Sequence, residues 1–105
     1  MLAAFSVTPI GGQESVGDVV AGVVRLVRAS GLPNQTGAMF TTVEGEADEV
    51  FALLQRCLEY VEQHAPRVSM VVKIDHRPGY EGALTGKVER VELALAEERD
   101  PGSAA

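Results

Sequence analysis

Thr36-Gly-Ala-Met-Phe-Thr-Thr-Val-Glu-Gly-Glu-Ala-Asp-Glu-Val50 reads as a strand that runs into a tight turn and then into the first turn of a helix. Its apolar centre is followed by two hydroxyls, Thr41 and Thr42, and by a carboxylate, Glu44, immediately before Gly45. A strand end facing a turn is a common place to hold a small polar ligand, because the scaffold is rigid and backbone groups are free there. The rest of the chain is read outward from this stretch.

Upstream, Leu2 to Ile10 alternates, with Phe5 and Val7 on one face and Ala4, Ser6 and Thr8 on the other, which predicts a strand stopped by Pro9 and Gly11-Gly12. Ser15 is a good N-cap, and Asp18 falls where the helix dipole favours negative charge. Val16, Val19, Val20, Val23, Val24, Leu26 and Val27 then recur at helical spacing. Valine is a mediocre helix former, so the period and the cap decide for helix here, with Gly31 as the C′ residue and Pro33 preventing continuation. The second strand opens at Asn34 and runs through Met39 and Val43 to Gly45.

Downstream, Glu46, Asp48 and Glu49 crowd the start of a second helix with an apolar stripe of Val50, Phe51, Leu53, Leu54, Cys57, Leu58 and Val61, ended by Pro66. Val68 to Asp75 is a third strand, with Val68, Met70, Val72 and Ile74 on one face and Ser69, Val71 and Lys73 on the other. His76 to Gly86 contains three glycines and a proline and is expected to be a loop. Lys87 to Leu95 is expected to supply a last strand, turning helical near its end. The order is read as β-α-β-β-α-β, an α+β fold of the ferredoxin-like type: a four-stranded antiparallel sheet with two helices on one face. Residues 1–96 form one domain on this reading and 97–105 a flexible C-terminal tail. Valines on both faces of the third strand leave an apolar sheet face, which predicts self-association through the sheets, as a homodimer or homotetramer.

Composition narrows the function classes. The 105 residues can bury a mostly aliphatic core, with three Phe, two Tyr and no Trp. A net charge of −6 without a basic cluster argues against nucleic acid, whose phosphates need Lys and Arg. No apolar run approaches the roughly 20 residues of a membrane span. A single cysteine, Cys57, and no signal-peptide pattern make the cytoplasm the expected location.

Catalytic chemistry is poorly supplied. His64 lies at a predicted helix end, His76 stands in a charged loop beside Asp75, and Cys57 falls on a core stripe; no metal-ligand spacing occurs, so neither a catalytic residue nor a metal site nor a cofactor is assigned. More informative are Ser6, Thr41, Thr42 and Ser69, which interrupt apolar strands, with Glu44 beside them. In the expected sheet Ser6 and Ser69 lie on neighbouring central strands, and Thr41 or Thr42 comes from the strand flanking Ser69. Hydroxyls and one carboxylate on one patch suit a heteroaromatic ring bearing an amino group; alternatively the hydroxyls are ordinary strand residues and Glu44 complements the N-terminus of the second helix.

Phe5-Ser-Val-Thr-Pro-Ile10 followed by Glu14-Ser15, Met39-Phe-Thr-Thr-Val-Glu-Gly-Glu46, Val68-Ser-Met-Val-Val-Lys-Ile-Asp75 with Arg77 and Gly79, and Lys87-Val-Glu-Arg-Val91 together resemble the thiamine-binding protein family over nearly all of residues 2–95. The resemblance implies non-catalytic binding of thiamine or its hydroxymethylpyrimidine portion by dimers or tetramers of ferredoxin-like domains. It carries Ser6, Thr41, Glu44 and Ser69 as ligand-binding candidates, with Phe40 and Thr42 beside them. Phe40 stands where the family pattern has glycine, and Ala38 where it commonly has proline; a ring at position 40 either stacks on a pyrimidine or fills the space that glycine leaves. The competing expectation is an oligomerising regulatory or interaction module without a small ligand.

Overall fold

A computed structural model describes residues 1–99. The elements are β1 (Leu2–Ile10), α1 (Val16–Ala29), β2 (Asn34–Thr36), β3 (Thr41–Glu44), α2 (Ala47–Glu62), β4 (Arg67–Asp75) and α3 (Ala83–Arg99). The first six follow the βαββαβ order, and their strands form one antiparallel sheet in the order β2-β3-β1-β4.

The fourth strand is not where the sequence places it. Residues 34–45 do not form one strand but a short hairpin, in which Asn34 pairs with Val43 and Thr36 with Thr41. The Gly37 amide donates to the Phe40 carbonyl at 2.9 Å and closes the turn. Gly37 is required there, since a Cβ would come within 2.7 Å of that carbonyl oxygen. The segment 87–95 is correspondingly helical, as the body of α3. Residues 97–99, expected in the tail, continue that helix, and 100–105 lie outside the described residues.

The core lies between the sheet and the helix pair α1/α2. Ala3, Phe5 and Val7 of β1 and Val43 of β3 meet Val19, Val23 and Val27 of α1 and Val50, Leu53, Leu54, Cys57 and Val61 of α2. α1 and α2 approach closely at Gly22, where a Cβ would lie 2.0 Å from the Tyr60 hydroxyl. α1 starts at Ser15, whose backbone carbonyl accepts from the Asp18 and Val19 amides while its hydroxyl makes no cap bond. It ends at Gly31, whose φ of +80° is the left-handed C′ geometry the sequence predicts. A capping box starts α2: Glu46 and Glu49 satisfy each other's backbone amides. Two residues of the predicted α2 stripe, Phe51 and Leu58, lie outside the core and are exposed.

Because directly paired residues share a face, the register sorts the sheet. Ala3, Phe5 and Val7 face the helices with Thr41, Val43, Met70 and Val72; Leu2, Ala4, Ser6 and Thr8 face the other way with Thr42, Glu44, Ser69, Val71 and Lys73. That second face carries no helix except at one end, where α3 begins.

Candidate functional site

The β1–β3 ladder runs only from Leu2–Glu44 to Phe5–Thr41, whereas β1 pairs with β4 along its whole length. Beyond Phe5 the β3-side edge of β1 therefore meets no strand. A cavity of about 240 Å³ opens there, walled by β1 residues Phe5 to Thr8, by Val16, Val20 and Val23 of α1, and by the Thr36–Thr41 turn. Backbone groups at a strand edge demand partners, and no sheet ladder supplies them on this side of β1. Val16 and Val20 belong to the predicted α1 stripe yet are 52% and 36% exposed, because they line this opening instead of packing on the sheet. Arg28 Nη2 donates to Thr36 Oγ1 at 3.1 Å and ties the hairpin to the end of α1.

Three of the six residues singled out from the sequence, Ser6, Phe40 and Thr41, line this cavity. Thr41 is half-buried on the helix-facing side, whereas the Ser6 side chain faces the opposite side of the sheet and the residue meets the cavity at its backbone edge. Phe40 is 39% exposed and forms part of the wall while leaving the space open. The other three residues stand elsewhere. Thr42 and Ser69 are on the open sheet face, with Ser69 opposite Thr8. The expected adjacency is corrected in one respect: Ser69 lies on the edge strand β4, and Thr41 and Thr42 come from β3 on the far side of β1, so β3 does not flank Ser69.

Glu44 is about 10 Å along the strand from Thr41 at the usual strand rise. Its Oε2 accepts from the Ala83 amide at 2.7 Å, so it serves the N-terminus of α3 and not that of the second helix, which Glu46 and Glu49 cap themselves. Substituting Glu44 with Ala should therefore loosen the first turn of α3 by ~1 kcal/mol, the usual worth of a cap. Faster amide exchange over residues 83–87, with β1 and α2 unchanged, is the expected observation. Glu44 also borders a second cavity of about 430 Å³ with Glu46, Glu49, Tyr80, Glu81 and His76.

The groups weighed for catalysis are otherwise engaged or inert. Asp75 pairs with Lys87, which holds its carboxyl below the usual range, so Asp75 does not orient His76. Nδ1 of His64 lies 2.8 Å from Glu14 Oε1. Burial pushes the Cys57 thiol up to about 11, against a weaker downward pull from Arg56. Among the described residues no group of three or more His, Cys, Asp or Glu could hold a metal ion. No helix is long and apolar enough to cross a membrane.

The family model described as thiamine-binding protein matches residues 3–92. Among curated proteins, the UPF0045 protein Mb1933 of Mycobacterium bovis is 56% identical over 96 residues, covering 90% of this chain and 94% of that protein. The UPF0045 protein sll0230 of Synechocystis is 34% identical over 90 residues, covering 85% and 74%. Among solved structures, a domain of unknown function (DUF77) from Bacillus cereus superposes with a TM-score of 0.78 at 31% identity, covering 85% of this chain and 86% of that one.

Proposed function

The chain belongs to the thiamine-binding protein family, and from that premise we propose that it binds the aminopyrimidine portion of thiamine in the cavity between β1, α1 and the β2–β3 turn. One observation carries this reading: the β1 edge beyond Phe5 opens onto a cavity that Phe40 and Thr41 also line. An aminopyrimidine presents a ring nitrogen acceptor beside an amino donor. That is the complement of a peptide N–H and C=O along a strand edge, as in strand addition. The valines of α1 suit the flat apolar ring faces, and Phe40 offers a surface for stacking. A space of about 240 Å³ is smaller than the usual drug-sized site and fits a single ring with its substituents. No carboxylate lines it, so the thiazolium cation would sit outside, tolerated by the protein's net charge of −6.

The binding is non-catalytic on this reading, which is supported by the engagement of Asp75 with Lys87 and by the protonated Cys57 thiol. The protein acts in the cytoplasm, in keeping with its single unpaired cysteine, and it self-associates through the open sheet face. Isothermal titration with hydroxymethylpyrimidine and with thiamine tests the ligand. Both should bind, with affinities within about tenfold of each other, since the shared ring makes the contacts. An absence of heat with both ligands removes the proposal. Binding of thiamine alone would move the site to the acidic cavity beside Glu44. The alternative reading, an oligomerising module without a small ligand, draws on the exposed apolar residues of β4 and α3; it predicts self-association with no heat from either compound.

A further inference from the structure

α3 is anchored only at its base. The Ala83 amide donates to Glu44, Lys87 pairs with Asp75, and Arg90 Nη2 donates to the Tyr80 hydroxyl at 2.7 Å. Gly79 and Gly82, both with φ of +78°, lead into it with nothing near their Cα atoms, so the connection has little packing to fix the helix direction. At 1.5 Å per residue, α3 is about 25 Å long, and the described chain reaches 60 Å in its longest dimension. The distal part is an arm.

Leu84, Val88, Val91 and Leu95 are spaced by four, three and four residues, a narrow seam on one side of the arm. Within the chain this seam is uncovered beyond its first member: Val88 and Val91 are each 57% exposed and Leu95 36%. The other uncovered apolar surface is the open sheet face, where Val71 is 56% and Ile10 37% exposed beside Leu2 and Ala4.

We propose that the α3 seam of one copy lies across the open sheet face of a second copy, and that the second copy returns its own α3 to the first. This deepens the self-association proposed above and rests on it. Charge favours this occupant over the two other self-pairings. The sheet face carries Arg67 and Lys73 on β4, while the distal arm carries Glu89, Glu92 and Glu98. Helix on sheet brings opposite signs together, whereas helix on helix brings acidic flanks together and sheet on sheet brings basic rows together. Area points the same way. One short helix seam pairing with its own copy falls short of the roughly 1,200–2,000 Å² of a specific interface, and a two-fold exchange supplies two helix-on-sheet contacts.

Sedimentation velocity of the full chain and its variants tests the exchange. The wild type should be a dimer or a multiple of it, and Val91→Asp on the arm and Val71→Asp on the sheet should each give monomer with an unchanged far-UV spectrum. A monomeric wild type overturns both this inference and the self-association it rests on. A dimer that Val91→Asp leaves intact overturns the arm exchange alone, and neither result touches the ligand reading. The second measurement uses the burial of Cys57, which keeps the native thiol out of reach. Ser69→Cys and Val91→Cys chains, co-expressed and treated with a short bis-maleimide, should cross-link far more than either variant alone. Equal linking of Val91→Cys by itself would mean helix on helix, and equal linking of Ser69→Cys by itself would mean sheet on sheet; either refutes the exchange.

Discussion

Replacing Phe5 with alanine should lower stability by ~3–5 kcal/mol and lower the urea midpoint by ~2–3 M. Phe5 is 1% exposed and is the largest of the fully buried side chains, on a strand paired on both sides, between Thr41 and Val72. Its ring reaches the seam where α1 and α2 both rest on the sheet, so no single element can move in to close the space. Collapse of the site is what softens such losses elsewhere, and here the valine-rich neighbours are short and β-branched, with little freedom to refill it. Against a total of ~5–15 kcal/mol for a domain of this size, the loss would leave a marginal protein. Phe51→Ala is the matched control: Phe51 is 52% exposed on the outer side of α2, and its removal should cost under about 1 kcal/mol. Urea unfolding followed by far-UV circular dichroism at fixed protein concentration compares the two. Equal midpoints for both variants would mean that the core is not centred on Phe5.

The same physics explains why part of the fold is legible in the sequence and part is not. The period-2 run of β1, the cap and valine period of α1 and the stripe of α2 are local signals, and each element lies where its period puts it. The hairpin is weaker because Asn34-Gln-Thr36 is polar and only three residues long, so nothing in its pattern separates it from the strand that follows. Gly37 is the one local sign of the break. α3 is missed because Gly86 groups with the loop glycines and cuts Leu84 from the seam it begins. Without Leu84, Leu93 and Leu95 at the other end read as alternation. Glycine inside a helix costs only ~1 kcal/mol, which the helix formers on either side outweigh. The candidate site is half legible for a different reason. Hydroxyls and a carboxylate on apolar strands are visible in sequence, but which of them meet depends on where the β1–β3 ladder stops, and that is a matter of pairing between distant segments. The free edge of β1 has no side-chain signature at all.

That distinction fixes the second large effect. Thr41→Val keeps the shape of the side chain and removes its hydroxyl, and it should weaken hydroxymethylpyrimidine binding by roughly five- to 150-fold. The figure corresponds to the ~1–3 kcal/mol of a polar group left unpaired in a desolvated site. Thr41 is half-buried and helix-facing, so a ligand in the cavity excludes the water that would otherwise replace the lost partner. Thr42→Val is the neighbour control: the same chemical change, one residue along the same strand, on the opposite face. Pleating alone separates the two, and Thr42→Val should change affinity less than about twofold. Glu44→Gln belongs with Thr42 on this account, since its carboxylate caps α3 at the far end of the strand. Phe40→Ala separates the two roles open to that ring. Loss of stacking would weaken binding, with ~1–3 kcal/mol typical of a base on an aromatic side chain, whereas a ring that only narrows the opening would leave affinity unchanged or improved. A titration series in which Glu44→Gln and Thr42→Val abolish binding while Thr41→Val does not would place the ligand on the open sheet face, against the β1 edge reading.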